Sequence, residues 1–319
     1  MTRKMEKPFC SIITVNWNGR DALSTMLKSL EQVEDIANLQ VIVSDNGSSD
    51  GSVEMLKSQF PFVTVVENRA NIGFGAGNNS ALPFVESDYV LFANPDMEFI
   101  EPVVARLVET LVKDPDIGAC GPKIFNSDGS FMRQCKRGFP GPATSFYYVS
   151  GLSRLFPKSK RFGRYFMSYI SEDESADVEA LSGSFFLTRS SSIREAGGFN
   201  EVFFLFVEEV ELFLRLRRAG FTIRYIPDVK VIHHGGACFK SAPSKTIFYH
   251  YHMTRSHLIL FAKERLRRGG GIGYHVAFLL IMLRYLGISI LTLNQSFLRQ
   301  SIEFTRIHFG KFEKLKVSI

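Results

Sequence analysis

Cysteine is scarce in this chain of 319 residues. There are four, at Cys10, Cys120, Cys135 and Cys238, with no CxxC pair and no spacing that suits zinc. A disulfide scaffold and a zinc module are thereby set aside, and the composition fits a reducing compartment. Cys10 and Cys120 fall in apolar, strand-like runs, where a thiol acts as buried filler. No internal repeat, low-complexity segment or nucleic-acid-binding module is recognisable, so a nucleic-acid partner is not expected. The first apolar run, Ser11-Ile12-Ile13-Thr14-Val15, is too short for a signal-peptide core, and a cytoplasmic catalytic part is expected.

What is present is ordinary globular material. Apolar residues make up 45% and charged residues 22%, which excludes a disordered chain. The net charge of +6 is uneven, with much of the excess between residues 133 and 164 and at Lys263, Arg265, Arg267 and Arg268. A solvated surface accounts for this as well as contact with anionic groups does, whether membrane headgroups or a phosphorylated acceptor.

Periodicity predicts strands at 11–15, 39–44, 63–66, 89–93 and 117–120, with helices between them. Leu23, Leu27 and Leu30 recur at helical spacing after Asp21, and Pro102 opens a helix to about residue 112. This alternation reads as βαβ units and a largely parallel sheet. Residues 123–178, rich in aromatic and basic side chains, predict long loops and short helices. A strand at 181–187, a helix after Ser190, a helix at 208–219 and strands at 222–226 and 229–232 follow. Past Phe239 come the run Phe248-Tyr249-His250-Tyr251-His252, a basic helix, three glycines and an apolar stretch at 274–293. That stretch is long enough to span a bilayer, but Arg284 at its middle is costly in a lone span. An in-plane interfacial helix is the first reading, a core helix the second and a span the last. The expected organisation is a catalytic domain over 1–238 and a helical, membrane-associating segment over 239–319.

Four polar segments sit where strands end or helices begin, the place where open α/β sheets collect ligands. Ser44-Asp45-Asn46-Gly47 ends the second strand, and the Asp45 carboxylate there suits the imide N–H of a pyrimidine base. Asp50 is better placed as a helix cap. Asn71-Ile72-Gly73-Phe74-Gly75 follows the third strand, with glycines that let backbone approach a ligand. Arg69 just before it is either a phosphate contact or an exposed surface residue. Asn94-Pro95-Asp96 ends the fourth strand, and oxygen donors there suit Mg²⁺ or Mn²⁺ bridging to phosphates. Glu208-Glu209-Val210-Glu211 opens a helix after an apolar wall, a setting that raises a carboxyl pKa and suits a general base. The helix dipole alone also favours acidic residues in a first turn. His233-His234 follows the last strand, as ligands or as packed residues. Arg133, Lys136 and Arg137 face either an acceptor diphosphate or solvent.

In order and spacing these segments resemble the inverting family 2 glycosyltransferases with a GT-A fold, most closely the rhamnosyltransferase-like branch of surface-polysaccharide synthesis. The resemblance covers roughly residues 9–265. It implies a Rossmann-like, mostly parallel sheet and transfer of a sugar from a nucleoside diphosphate donor, dTDP-rhamnose first and a UDP-sugar next. The acceptor it implies is a polyprenyl-diphosphate-linked glycan at the inner membrane surface. It assigns the nucleotide pocket to Asp45, Asn71, Gly73, Asn94 and Asp96, a Mg²⁺ or Mn²⁺ site to Asp96 and His234, and the base to Glu209. The chain departs from the family pattern with Asn94 in place of the first Asp of DXD and with Glu at 209 and 211 where Asp is usual. A non-catalytic nucleotide-sugar or lipid-glycan binding protein is the alternative. A nucleotidyltransferase fits poorly, because Asn16-Trp17-Asn18-Gly19-Arg20 is not the basic glycine-rich loop it needs.

Overall fold

The computed structural model describes residues 8–235 and 245–310. Cys238 and the expected domain boundary at 238–239 lie outside the described residues.

Strands β1 (Cys10–Asn16), β2 (Leu39–Asp45), β3 (Val63–Glu67) and β4 (Tyr89–Ala93) pair in parallel, in the order β3-β2-β1-β4. Every residue of β1 is buried, as expected of a strand covered on both faces. The crossovers carry helices α1 (Arg20–Val33), α2 (Ser52–Gln59) and α3 (Phe74–Ala81). On α1, Leu23, Met26, Leu27 and Leu30 form the buried stripe.

Beyond β4 the sheet becomes mixed. A three-residue strand, β5 (Met97–Phe99), follows at once, and α4 (Val104–Lys113) leads to β6 (Ile117–Asn126). Pro102 lies just before α4 rather than in its first turn. The orphan N–H groups of Val103 and Val104 are taken by Glu34 Oε1, at 2.6 and 2.9 Å. The expected strand at 181–187 is broken at residues 182–184. It becomes β9 (Ala180–Leu181), which pairs with β7 (Lys136–Arg137), and β10 (Phe185–Arg189). β10 inserts antiparallel between β4 and β6. Helices α7 (Ser190–Glu195) and α8 (Glu208–Arg218) precede β11 (Thr222–His233), one irregular strand where two were expected. β11 runs parallel to β6, antiparallel to β5 and antiparallel to the short β8 (Ala176–Asp177).

The insert between β6 and β10 holds α5 (Pro142–Val149) and α6 (Leu152–Leu155), and ion pairs tie it down. The buried Lys123 Nζ bonds Asp173 at 2.7 Å and Glu172 at 3.3 Å. Lys136 does not reach a ligand space. Its Nζ is buried and donates to the carbonyls of Met167 (3.1 Å) and Ile170 (2.7 Å).

Three helices end the described chain: α9 (Lys245–Arg267), α10 (Ile272–Leu291) and α11 (Phe297–His308). Helix α9 joins the body of the molecule. Leu258, Ile259 and Leu260 are buried, and Arg255 binds Glu303 (2.9 Å) and the Val202 carbonyl (3.0 Å). The basic run at its end is largely paired internally: Lys263 with Glu211, and Arg218 and Arg267 with Glu264. Helix α10 is long and apolar enough to cross a membrane, and along it only Ala277, Tyr285 and Ser289 are buried. Ile272, Val276, Leu279, Leu283 and Ile290 lie exposed along it, and Gly273 sits against Pro142 of α5.

Candidate active site

A cavity of about 450 Å³ opens at the carboxyl ends of β1 and β4. Trp17, Asn71, Gly73, Asn94 and Asp96 line it from the first half of the chain. Gly183, Phe204, Glu208, Glu209 and His233 line it from the second, and Phe248, Tyr249 and Met253 of α9 complete the wall.

Strand register builds the Asp96 corner. After β4 the chain turns within three residues, Met97 N donating to Asn94 O at 3.2 Å, and β5 then pairs with the end of β11. His233 stands opposite Met97, which brings its Nε2 to 3.1 Å from Asp96 Oδ1. The expected ligand was His234. Its imidazole is engaged elsewhere, 2.7 Å from Glu98 Oε2, and only its backbone N–H reaches Asp96, at the carbonyl (2.9 Å). The reason is the two-residue period of a strand: Val229, Val231 and His233 share the inward face. Asn94 Oδ1 is buried with no hydrogen-bond partner. Among the described residues no group of three or more His, Cys, Asp or Glu side chains is placed to hold a metal alone. A carboxylate, an imidazole and an orphaned amide oxygen nevertheless fit Mn²⁺ or Mg²⁺ whose other ligands are substrate phosphates and water.

The nucleotide-side residues divide. Asn71 and Gly73 line the cavity, with Asn71 Oδ1 accepting from Gly73 N at 3.1 Å. Gly73 has φ +90°, and a Cβ there would lie 2.3 Å from the Phe204 carbonyl oxygen, so glycine is required. Asp45 does not face the cavity as expected. It is buried in its own turn, accepting from Ser48 N (2.8 Å), Ser48 Oγ (2.7 Å) and Asn16 Nδ2 (3.0 Å). The turn carries Asn46, whose Nδ2 donates to Gly73 O at 3.0 Å and so supports the lining loop. Arg69 is exposed and stays outside the lining.

Backbone strain marks the start of α8. Phe206 and Val207 both sit at positive φ, +68° and +72°, and a β-branched residue there is a true outlier. Such conformations cost about 1–3 kcal/mol each and persist where the surroundings impose them. They turn the chain so that Glu208 and Glu209 meet the cavity. Glu208 is buried with Oε2 unpartnered, and burial, reinforced by the Glu209 charge, pushes its carboxyl well above the usual range. Glu209 Oε1 pairs with Arg137, which is itself half-buried. Gly183 packs on Glu209, a Cβ there falling 3.0 Å from its Cγ. Glu211 is outside the cavity. Burial raises its carboxyl, but Arg215 and Lys263 hold it below the usual range.

Sequence reasoning missed the Arg137–Glu209 pair, the Gly183 shelf and the α9 wall. The aromatic run at 248–252 was the signal for the last, since a helix so rich in rings needs a surface to cover.

Comparison with known proteins follows the same lines. The profile of the family described as Glycosyl transferase family 2 matches residues 11–195. The chain is 28% identical over 255 residues to the N-acetylglucosaminyl-diphospho-decaprenol L-rhamnosyltransferase of Mycobacterium tuberculosis, covering 76% of this chain and 81% of that one. It is 26% identical over 262 residues to the rhamnosyltransferase WbbL of Escherichia coli, covering 77% and 91%. Among solved structures, the mannosyltransferase PcManGT of Pyrobaculum calidifontis, in complex with GDP-Man and Mn²⁺, superposes with a TM-score of 0.55 at 15% identity. That match covers 98% of this chain and 88% of the other. At such identity the likeness is one of fold, and the fold is GT-A-like: a mixed, largely parallel sheet between helices.

Proposed function

Because the chain belongs to glycosyl transferase family 2, we propose that it moves rhamnose from a nucleoside diphosphate donor to a hydroxyl of a polyprenyl-diphosphate-linked glycan, with inversion at the anomeric carbon. One observation carries this reading: the Asp96–His233 pair and the Glu208–Glu209 pair come from distant parts of the sequence and line one cavity.

In this reading Asn71, Gly73 and Asn94 hold the nucleotide, with Asp45 acting through the turn that supports them. Asp96 and His233 would hold Mn²⁺ or Mg²⁺, which supplies positive charge beside the diphosphate leaving group. Glu209 accepts the proton of the acceptor hydroxyl as that oxygen attacks the anomeric carbon from the face opposite the diphosphate. Arg137 and Gly183 fix the Glu209 carboxylate. Burial and the Glu209 charge push the Glu208 carboxyl beside it well above the usual range, which disfavours a second negative charge where the acceptor must approach. The proton goes to Glu209, the diphosphate leaves with the bonding pair, and no covalent enzyme intermediate is needed. The residues fit the metal, and the rhamnosyltransferase names of two relatives favour dTDP-rhamnose as donor, with a UDP-sugar next.

The proposed organisation is a catalytic part over 1–238 and a helical segment over 239–319 whose first helix closes the catalytic wall. The exposed apolar stripe of α10 supports attachment to the inner face of the cell membrane, lying in the interface with Arg284 reaching back to water. A donor panel tests the activity: the full chain with a prenyl-diphosphate-linked N-acetylglucosamine, Mn²⁺ or Mg²⁺, and each nucleoside diphosphate sugar in turn. Acceptor-dependent release of dTDP from dTDP-rhamnose is expected. Release from another donor alone would replace the sugar, and no transfer from any would end the reading.

A further inference from the structure

A second cavity, of about 310 Å³, adjoins the first. Asn126 and Gln134 line both, so the two spaces meet at these side chains. The rest of its polar lining is Arg133, Tyr148, Ser153 and Arg154, and no carboxylate borders it. The Arg133 guanidinium lies 4.8 Å from the centre of the Phe166 ring, which also lines the space. Stacking of that kind fixes the plane of the fork while leaving its N–H groups free to point inward. Among the described residues neither Arg133 nor Arg154 forms an ion pair, whereas the basic residues Lys123, Arg137, Arg164, Arg215 and Arg218 all do.

We propose that this second cavity binds the diphosphate of the lipid-linked acceptor. The inference rests on the acceptor class proposed above and adds the residues that hold it. Two guanidiniums, two hydroxyls and two amides around a carboxylate-free space match a group with several phosphate oxygens, which guanidinium forks bind in bidentate fashion. Position makes the match specific. Through Asn126 and Gln134 the space adjoins the cavity lined by Glu209, where the acceptor hydroxyl must lie. Helices α5 and α6, which supply Tyr148, Ser153 and Arg154 to the lining, also turn apolar residues to solvent: Phe146 and Val149 from α5, Leu155 and Phe156 around the end of α6. Helix α10, with its own exposed apolar stripe, packs beside α5. The order from the reacting hydroxyl through the diphosphate to the hydrocarbon then runs along the surface of one insert. The donor diphosphate belongs to the Asp96–His233 corner, so two diphosphates occupy two sites.

Calorimetry on the full chain in detergent, with farnesyl diphosphate as probe, tests this directly. Farnesyl diphosphate should bind equally well with saturating dTDP present, and farnesol should not bind. The Arg133→Ala/Arg154→Ala double variant should lose affinity for farnesyl diphosphate by about tenfold or more, as expected for loss of charge-assisted bonds. Arg133→Lys should fall between, since it keeps charge but not the fork. Displacement of farnesyl diphosphate by dTDP, or unchanged affinity in the double variant, overturns the proposal. Equal competition by phosphatidylglycerol vesicles also overturns it, because the site would then be a general headgroup contact. Kinetics supply a second readout. In the double variant KM for a prenyl-diphosphate-linked N-acetylglucosamine should rise far more than KM for an alkyl N-acetylglucosaminide. An equal rise for both marks a merely structural role and overturns the proposal. If farnesyl diphosphate binds as expected while no acceptor is glycosylated, the transferase reading fails and the diphosphate site stands.

Discussion

His233 Nε2 stands 3.1 Å from Asp96 Oδ1, joined across 137 residues of sequence by the pairing of β5 with β11. The pair is the core of the proposed cation site, and it gives the first prediction. Chelation with EDTA should abolish transfer, and Mn²⁺ or Mg²⁺ should restore it. Asp96→Ala and His233→Ala should each weaken the cation response by about 10–100-fold, read from activity against metal concentration. His234→Ala, which removes a surface contact with Glu98, should change it little. The reverse order for the two histidines would restore the assignment made from the sequence.

Gly183 tests the placing of Glu209. A Cβ at 183 would press on the Glu209 side chain 3.0 Å away, with room to shift it but not to ignore it. Gly183→Ala should lower kcat by about a hundredfold, the effect of a misplacement near 1 Å. Donor affinity and melting temperature should stay close to those of the parent chain. Unchanged kcat would mean that the carboxylate position is not critical.

Acid should loosen the α9 wall. His252 stacks on Phe204, ring centres 4.8 Å apart, and burial, helped by the Arg255 charge, pulls its pKa down from 6.5 to about 3. As pH falls below 6.5 the unfolded chain gains a proton that the folded chain refuses, so stability present above 6.5 is lost toward pH 3. The upper bound at pH 4 is roughly 3 kcal/mol. His308, lowered to about 4 by burial, adds to the loss in the same window. Thermal melts from pH 7 to pH 4 should show a falling midpoint, and His252→Phe should flatten part of the slope.

Membrane contact is readable by sedimentation. The full chain should pellet with anionic vesicles, and Leu279→Glu/Leu283→Glu should lower the bound fraction at least about tenfold, since each exposed leucine contributes about 1.5–3 kcal/mol when buried in lipid. High salt should loosen the parent chain only partly, because the Lys263–Arg268 run is largely taken up by Glu211 and Glu264. Complete release by salt would show that charge, not the apolar stripe, holds the chain.

Much of the sheet was legible because buried parallel strands leave short apolar runs with turn signals at both ends. The first four strands lie within a residue or two of their expected bounds. What escaped depends on pairing between distant segments. Three-residue β5 has no period to read, yet it decides which histidine meets Asp96. The run at 181–187 is apolar enough to read as one strand, and only the fold shows that residues 182–184 leave the sheet to line the cavity. Asp45 has the composition of a ligand contact, but its three hydrogen bonds close the turn. The His233 face was available in principle, since Val229 and Val231 already set the period of β11.

The proposed chemistry is tested most directly by one comparison: the parent chain against Glu209→Gln, with dTDP-rhamnose and the lipid-linked acceptor, following turnover, donor affinity and the anomeric configuration of the product. The account predicts a product of opposite configuration to the donor. It predicts a drop in turnover of about a hundredfold or more in the variant, with donor affinity kept. A retained configuration, or a Glu209→Gln chain that turns over like its parent while Glu208→Gln does not, would contradict it.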